Sequence, residues 1–554
     1  MERERVDFLQ IHPKDNVLVA LRDLEAGKII LFNSVQITLR DHVKAKHKFT
    51  IAEFSKDQDI YMYGVLVGRL NYDLPQGSLI TVDNLRHAAE GFELGKRKLE
   101  WTKPDISKFI GRTFDGFHRS NGKVGTANHW LVIPLVFCEN RNVLTLKTAL
   151  EEKLGYKVQS KDYSNEVDLL LERYKAGASV DELLQIDLAS TTSQHQIQRP
   201  FPNVDGVKFL NHDMGCGGTR MDSDALCGLL AGYITHPNVA GATILSLGCQ
   251  HAQASILRAE ILKRDPNFDK PLYIFEQQKE GTEAELMQKA IKATFAGLTI
   301  ANTQTRQPAS LDKLCIGLEC GGSDGFSGIS ANPALGMVSD ILVALGGAVI
   351  LSEFPELCGV EQELSDRCID EATAEKFMKL MKTYNAKAEA DGSGFYMNPS
   401  PGNIRDGLIT DAIKSAGAAK KGGTSPVQHV IDYPELADYK GLNLLCTPGN
   451  DVESTTAEVA AGANIVLFTT GLGTPTGNPI TPVIKVSSNT KIYEKMSDII
   501  DINCGTIIEG QETIHEAAER ILEYVIEVAS GKVIPKAVKL GQDDFIPWRR
   551  GVSL

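Results

Sequence analysis

Seven short apolar runs restrict what this chain can fold into. They are HWLVIPLVF (129–137), ATILSLGC (242–249), LYIFEQ (272–277), KLCIGLEC (313–320), AVILSEF (348–354), LNLLCTPG (442–449) and NIVLFTTG (464–471). None alternates polar with apolar residues, as a strand with one wet face would. A continuous run of this length suits a strand buried on both faces. Between the runs lie amphipathic patterns: DSDALCGLLAGYITHP, EAELMQKAIKATFAG, EATAEKFMKLMKTYNAKA and IHEAAERILEYVIEVASG. The first carries Asp222 as its N-cap candidate and stops at Pro237. Buried strands alternating with helices predict an α/β architecture with largely parallel sheets. The pattern breaks near 302–312, in NTQTRQPASLDK, so two α/β domains are expected, 121–305 and 306–554.

Ahead of them the pattern differs. NVLVAL, KIILF, HKFTIAEF, YMYGVLVGRL and GSLITV are short β-rich runs separated by turn signals, which predicts a small all-β module over 1–95. Residues 96–120 are charged and irregular and read as a linker. Three domains are in keeping with 554 residues, too many for one core.

The formal charge of −13 disfavours a nucleic-acid partner, which requires a basic surface. MERERVDF is not followed by an apolar signal region. The longest apolar run, Ile341–Leu351, is interrupted by Gly346 and Gly347 and falls far short of the ~20 residues that span a bilayer. A cytoplasmic protein without membrane attachment is expected. The ten cysteines include no CxxC, so a disulfide framework is not expected in a reducing compartment.

Several buried strands run directly into polar, glycine-rich turns: KFLNHDMGCGGT, SLGCQHAQ, GLECGGSDG, CTPGNDVES and FTTGLGTPTGNP. Ligands of open α/β sheets bind outside the carboxyl ends of the strands, so these loops could converge on one cleft. GGSDGFSG places Gly321, Gly322, Ser323, Asp324 and Ser327 together. Successive N–H groups there can form an anion nest, or the segment can be a tight strand-to-helix connection. It is neither the dinucleotide fingerprint nor a P-loop. NHDMGCGGTR gathers His212, Asp213, Cys216 and Arg220, an acid/base candidate beside a carboxylate-binding candidate. Cys216, Cys249 and Cys320 fall at three strand ends and would suit iron or zinc if they meet. NPSPGN presents Asn398, Ser400 and Asn403, and TPGNDVEST presents Asn450 and Asp451, groups able to read hydroxyls or serve as turn chemistry. In the N-terminal module Asp15, Asn16, His47, Asp83 and His87 carry ligand potential or structural roles.

GLECGGSDGFSGISANPALG, ILSEFPELCGVEQEL, NPSPGN, FTTGLGTPTGN, NHDMGC and HPNVAGATILSLGCQ resemble the altronate/galactarate dehydratase family, nearer its altronate members. DNVLVAL…KHKF…YGVLVGRL resembles the SAF β-clip domain that precedes that catalytic region. The resemblance covers nearly the whole chain. It implies loss of water from an aldonic or aldaric acid, with D-altronate giving 2-keto-3-deoxy-D-gluconate in hexuronate breakdown. It also implies ferrous iron, sometimes replaced by manganese, and a homo-oligomer is expected. One departure stands out. The family pattern HxHxHN falls on LITVDNLRH (79–87), where Asn84 is kept but Leu79, Thr81 and Asp83 replace the histidines.

From these readings His212, with Asp213 and Cys216, is expected to be catalytic. Arg220, the 321–327 loop, Asn398, Ser400, Asn403, Asn450 and Asp451 are expected to bind substrate. His47, His87, Asp83 and Asn16 form the favoured metal group, and Cys216, Cys249 and Cys320 the rival one. Competing readings are a galactarate or other hexonate dehydratase, a non-catalytic sugar-acid sensor, an iron–sulfur dehydratase, and a lyase on another α-hydroxy acid such as a sulfonated one.

Overall fold

The computed structural model describes residues 6–157, 164–188 and 199–554. Every strand pair of the N-terminal module is antiparallel. Phe8–Leu9, Val17–Ala20, Lys48–Thr50 and Leu79–Ile80 form one sheet, Ile29–Phe32 and Val35–Thr38 a hairpin, and Asp59–Met62, Val65–Leu70 and Leu85–Arg86 a third layer. YMYGVLVGRL, read as one run, is two strands. Tyr63 and Gly64, with φ of 58° and 81°, turn the chain between them in the way that matches hairpin twist. Leu18, Ile30, Ile37, Val43 and Phe49 form the module's own core. Val17, Val19, Ile60 and Val67 point the other way and join the core of the C-terminal domain.

The predicted linker contains a strand, Thr113–His118. It pairs antiparallel with Val124–Gly125 and with Gln307–Ser310, inside the segment where the α/β pattern breaks.

In the first α/β domain, β1 (His129–Pro134), β2 (Gly206–Phe209), β3 (Val239–Ser246) and β4 (Leu272–Glu276) form a parallel sheet in the order β2-β1-β3-β4. Helix α1 (Arg220–Thr235) precedes β3. Its N-cap is Thr219, not Asp222. The Thr219 hydroxyl accepts the Asp222 N–H, and the Asp222 carboxylate accepts that hydroxyl proton at 2.6 Å.

The C-terminal domain is built on seven parallel strands: β5 (Cys315–Cys320), β6 (Ala348–Leu351), β7 (Val427–Ile431), β8 (Gly441–Leu445), β9 (Ile465–Thr470), β10 (Val483–Ser487) and β11 (Ile502–Asn503). Their order is β7-β8-β6-β5-β9-β10-β11. The chain passes from β5 to β6 on one side, then returns after β8 to β9 on the other. The carboxyl ends of β5 and β9 therefore frame the switch point, where ligands of such sheets bind. Helix α2 (Ala331–Ala344) follows β5, α3 (Asp411–Ala418) precedes β7, and α4 (Asp451–Ala461) joins β8 to β9.

The two sheets share one core. Leu131, Ile133, Leu229 and Ile244 pack with Val459, Val466 and Phe468. Fully buried Asn238, just before β3, stitches the seam: its Oδ1 accepts the Thr126 N–H at 2.7 Å and its Nδ2 donates to the Ile480 carbonyl at 2.9 Å. Asn238→Ala strands both groups in the interior. A loss of about 1–3 kcal/mol for each is expected, read as a lowered urea midpoint of the full chain.

Candidate functional site

A strand end buried on both faces has no water to solvate a charge, so an ionised group there needs a partner. The carboxyl end of the C-terminal sheet concentrates such groups. Cys320 closes β5, Glu353 and Glu356 follow β6, and all three are buried. The Cys320 thiol donates to the Glu356 carboxylate at 3.1 Å and lies 3.4 Å from Glu353 Oε2. The Cys320 N–H also donates to Glu353 Oε2, at 3.1 Å. Lys421 Nζ sits 2.6 Å from Glu353 Oε2, and Lys414 Nζ 2.6 Å from Glu356 Oε1. Lys414 is aimed from α3 and also donates to Asn398 Oδ1 at 3.0 Å.

Glu353 is held in the left-handed region, φ 62°. For a residue with a Cβ that costs about 1–3 kcal/mol and persists where the surroundings dictate it. Here its N–H donates to Thr447 Oγ1 at 2.8 Å while its carboxylate is held by Lys421.

Behind this group lie Glu319 and Glu458, fully buried. Ser352 Oγ donates to Glu458 Oε1 at 2.7 Å and lies 3.3 Å from Glu319 Oε2. Burial, then the charges of Glu353 and Glu458, pushes Glu319 far above the carboxylate range. Burial raises Glu458 to about 8. The Cys320 thiol is pushed well up by burial and then by Glu353 and Glu356. Burial opposes the charge on Lys421, but the groups around it, with the Glu353 carboxylate 2.6 Å away, outweigh it and keep the ammonium protonated. Asp451, at the start of α4, presses its carboxylate against Gly321. A Cβ on Gly321 would lie 2.0 Å from Asp451 Oδ2. Burial, then Glu353 and Glu356, raises Asp451 to about 7.

Cys320, Glu353 and Glu356 are the one group among the described residues whose three metal-donor atoms all lie within 4.8 Å of one another. Glu353 Oε1 is buried without a hydrogen-bond partner. One thiol and two carboxylates, with an oxygen left over, fit a divalent transition ion better than the all-oxygen ions calcium and magnesium.

The expected site residues fall into distinct places. The 321–327 loop lies beside this group. Its Asp324 is turned inward: Oδ1 accepts the Phe326 and Ser327 N–H groups and the Ser327 and Ser488 hydroxyls, and Oδ2 accepts from Asn489. Gly321 N–H donates to Thr469, and Gly471 and Leu472 N–H donate to Gly322 O. The N–H groups of Gly322 and Ser323 have no protein acceptor among the described residues. Asn398 faces Lys414, its Nδ2 buried and unpartnered. Asn403 is a brace, donating to Ser323 O at 2.7 Å and closing a capping box with Ser400. Asn450 caps α4.

His212 is not poised for proton transfer. Its Nε2 is 2.7 Å from the Pro134 carbonyl and its Nδ1 accepts the Met214 N–H, so both nitrogens are committed to backbone. Burial lowers it to about 4, favouring a neutral ring whose one N–H points at the Pro134 carbonyl. Asp213 and Arg220 are exposed on the first α/β domain, with Cys216 half-buried beside them. Asp213 is close enough to Glu453 on α4 to help raise that carboxyl after burial.

Neither expected metal group assembles. Cys249 is exposed, and Cys216 and Cys249 do not join Cys320. In the N-terminal module Asn16 is spent on the Tyr61 N–H and Asp59 carbonyl, Asp83 is exposed, and Asn84 closes a turn by bonding Thr81 and Leu79. His47 is half-buried with Nδ1 3.2 Å from Ala45 O, and the half-buried His87 leaves Nδ1 unpartnered. No cluster unites His47, Asp83 and His87 among the described residues.

Glu319, Glu353, Glu356, Lys414 and Lys421 were absent from the expected set. Their signal was present: GLEC and ILSEFPEL place acids at the ends of doubly buried strands, where an unpaired charge is too costly to keep.

Comparison with known proteins places the chain. Residues 6–88 match the altronate/galactarate dehydratase SAF domain, 116–302 the D-galactarate dehydratase/altronate hydrolase second domain, and 311–553 the D-galactarate/altronate dehydratase C-terminal domain. In that order the three define a hydro-lyase that dehydrates sugar acids. The chain is 34% identical over 529 residues to altronate dehydratase of Bacillus subtilis (strain 168), covering 95% of this chain and 96% of that protein. It is 31% identical to altronate dehydratase of Escherichia coli (strain K12), over 95% of this chain and 96% of that protein. Against galactarate dehydratase (L-threo-forming) of the same organism it is 28% identical, over 95% and 93%. The chain belongs to the altronate/galactarate dehydratase family. Among the described residues no helix is long and apolar enough to cross a membrane.

Two outcomes test the site. Glu356→Gln is expected to weaken Mn(II) binding at least about tenfold in anaerobic calorimetry, since even outer partners of a metal ligand are worth 10–100-fold. Asp451 holds a proton in the folded state up to about pH 7 that the unfolded chain releases near its ordinary 3.8. Its contribution therefore disfavours folding increasingly as pH rises between those values. Relative to Asp451→Asn, the parent should lose on the order of 2–3 kcal/mol between pH 5 and pH 8, measured by urea denaturation at both.

Proposed function

We propose that this chain dehydrates D-altronate to 2-keto-3-deoxy-D-gluconate and water, with ferrous iron as its resident metal, replaceable by manganese. The observation that carries the reading is the Cys320–Glu353–Glu356 group, with its two lysines and Asp451, set beside the free N–H groups of Gly322 and Ser323. The two relatives above 30% identity, both altronate dehydratases, support altronate over galactarate.

Dehydration beside a carboxylate must remove a weakly acidic C2 proton and expel a poor leaving group from C3. The Gly322 and Ser323 N–H groups receive the substrate carboxylate, the use to which adjacent N–H groups in a tight turn are suited. Asn398 Nδ2, buried without a partner, donates to a substrate hydroxyl. Asp451, with a pKa raised to about 7, is matched to proton transfer at neutral pH and protonates the departing C3 hydroxyl. Lys414 and Lys421 keep positive charge near the enediolate that develops on the substrate carboxylate as a base takes up the C2 proton. A divalent ion held by Cys320, Glu353 and Glu356 would supply Lewis-acid stabilisation of that charge. Asp213, Cys216 and Arg220 face outward from the first α/β domain and are assigned to the outer wall of the cleft, with His212 buttressing their loop.

A panel of hexonates and hexarates, assayed with and without ferrous iron by 2-keto acid formation, tests the assignment. The highest kcat/KM is expected with D-altronate plus iron, and Asp451→Asn should lower kcat by about 10²–10⁴. A preference for galactarate would shift the substrate. Binding of altronate without keto acid from any panel member would leave a sensor in place of an enzyme.

A further inference from the structure

The 321–327 loop is wound around one carboxylate. Asp324 is fully buried, and its Oδ1 gathers two N–H groups and two hydroxyls from the loop and from Ser488. Its cationic partner comes from another domain: Lys46, just ahead of Lys48–Thr50, places Nζ 2.9 Å from Asp324 Oδ2 and 2.8 Å from Asp406 Oδ1.

The C-terminal domain is shaped to admit this residue. A Cβ on Gly325 would fall 2.7 Å from the Lys46 carbonyl oxygen, and one on Gly407 2.5 Å from it. Two glycines from separate loops thus form the slot that residue 46 enters. Lys48 secures it from behind, its buried Nζ donating to the carbonyls of Gly407 and Lys46 at 2.5 and 2.9 Å. Tyr63 adds a second anchor, its hydroxyl lying where a Cβ on Gly328 would be, at 2.3 Å.

We propose that Lys46 is a positioning residue of the catalytic loop, so that the N-terminal module is a working part of the active site. An ion pair this buried is far costlier to break than to leave out, because the surviving charge has no water. Without the ammonium, Asp324 turns toward solvent, the winding of 321–327 opens, and Gly322 and Ser323 lose their common aim. Lys46 touches no reacting atom in this scheme; it acts through Asp324. The kinetic consequence rests on the reading that those two N–H groups receive the substrate carboxylate.

Amide hydrogen exchange on the full chain tests the loop directly and needs no substrate. In Lys46→Met, peptides spanning 321–328 should exchange at least tenfold faster while those of β3 stay as in the parent. Lys46→Arg, which keeps the charge, should restore protection. With D-altronate, Lys46→Met should raise KM at least tenfold with kcat within threefold. Unchanged exchange at 321–328 overturns the proposal, and so does faster exchange with unchanged KM. If Lys46→Met does not fold, Lys46→Gln is read by the same two measurements. If the parent turns over no hexonate, the altronate assignment falls and exchange alone decides the role of Lys46.

Discussion

More carboxylates than cations are buried at the carboxyl end of the C-terminal sheet, and the rest of the structure accommodates that imbalance. Glu319, Glu353, Glu356 and Glu458 crowd behind Cys320, and Lys414 and Lys421 answer two of them. The others are kept neutral by burial and mutual repulsion or hydrogen-bonded through Ser352. Such an arrangement is poor as a source of stability, since desolvation offsets most of what the ion pairs return. It suits a site whose task is to manage charge, and the left-handed backbone of Glu353 fits that purpose.

The same electrostatics reach outward in two directions. Asp451 feels Glu353 and Glu356, so its proton affinity is set by a cluster it does not belong to. Glu453, two residues further along α4, feels Asp213 of the first α/β domain. Helix α4 is thus the electrical meeting point of the two α/β domains, just as Val459 on its flank packs with Leu229 of α1 and Ile244 of β3.

Much of the architecture was legible because burial on both faces leaves an unmistakable pattern. Each of the seven apolar runs contains a parallel strand, whereas VQHVI and VIKVS, shorter and broken by polar residues, escaped notice. The site was less legible. Gly321–Ser323, Asn398 and Asp451 could be named because turn chemistry and polar side chains advertise themselves, and they lie beside the buried carboxylates and Lys414. His212 misled for the same reason: sequence shows a histidine in a polar loop but not that Pro134 and Met214 have claimed both its nitrogens. The buried glutamates were visible as letters but disguised by their apolar neighbours. Lys46 could not be read at all, since its meaning lies in a contact across more than half the chain.

The short ladder pairing Thr113–His118 with Gln307–Ser310 has a consequence of its own. It clamps the chain's departure toward the first α/β domain against its return, so everything between leaves and re-enters through one doorway. A segment with its two ends held side by side is topologically a cassette. It can be lengthened, exchanged or lost without rethreading the C-terminal sheet, and the N-terminal module still meets that sheet through Lys46 and Tyr63. A lineage could therefore remodel the first α/β domain while the carboxylate-rich end of the C-terminal sheet stays where it is.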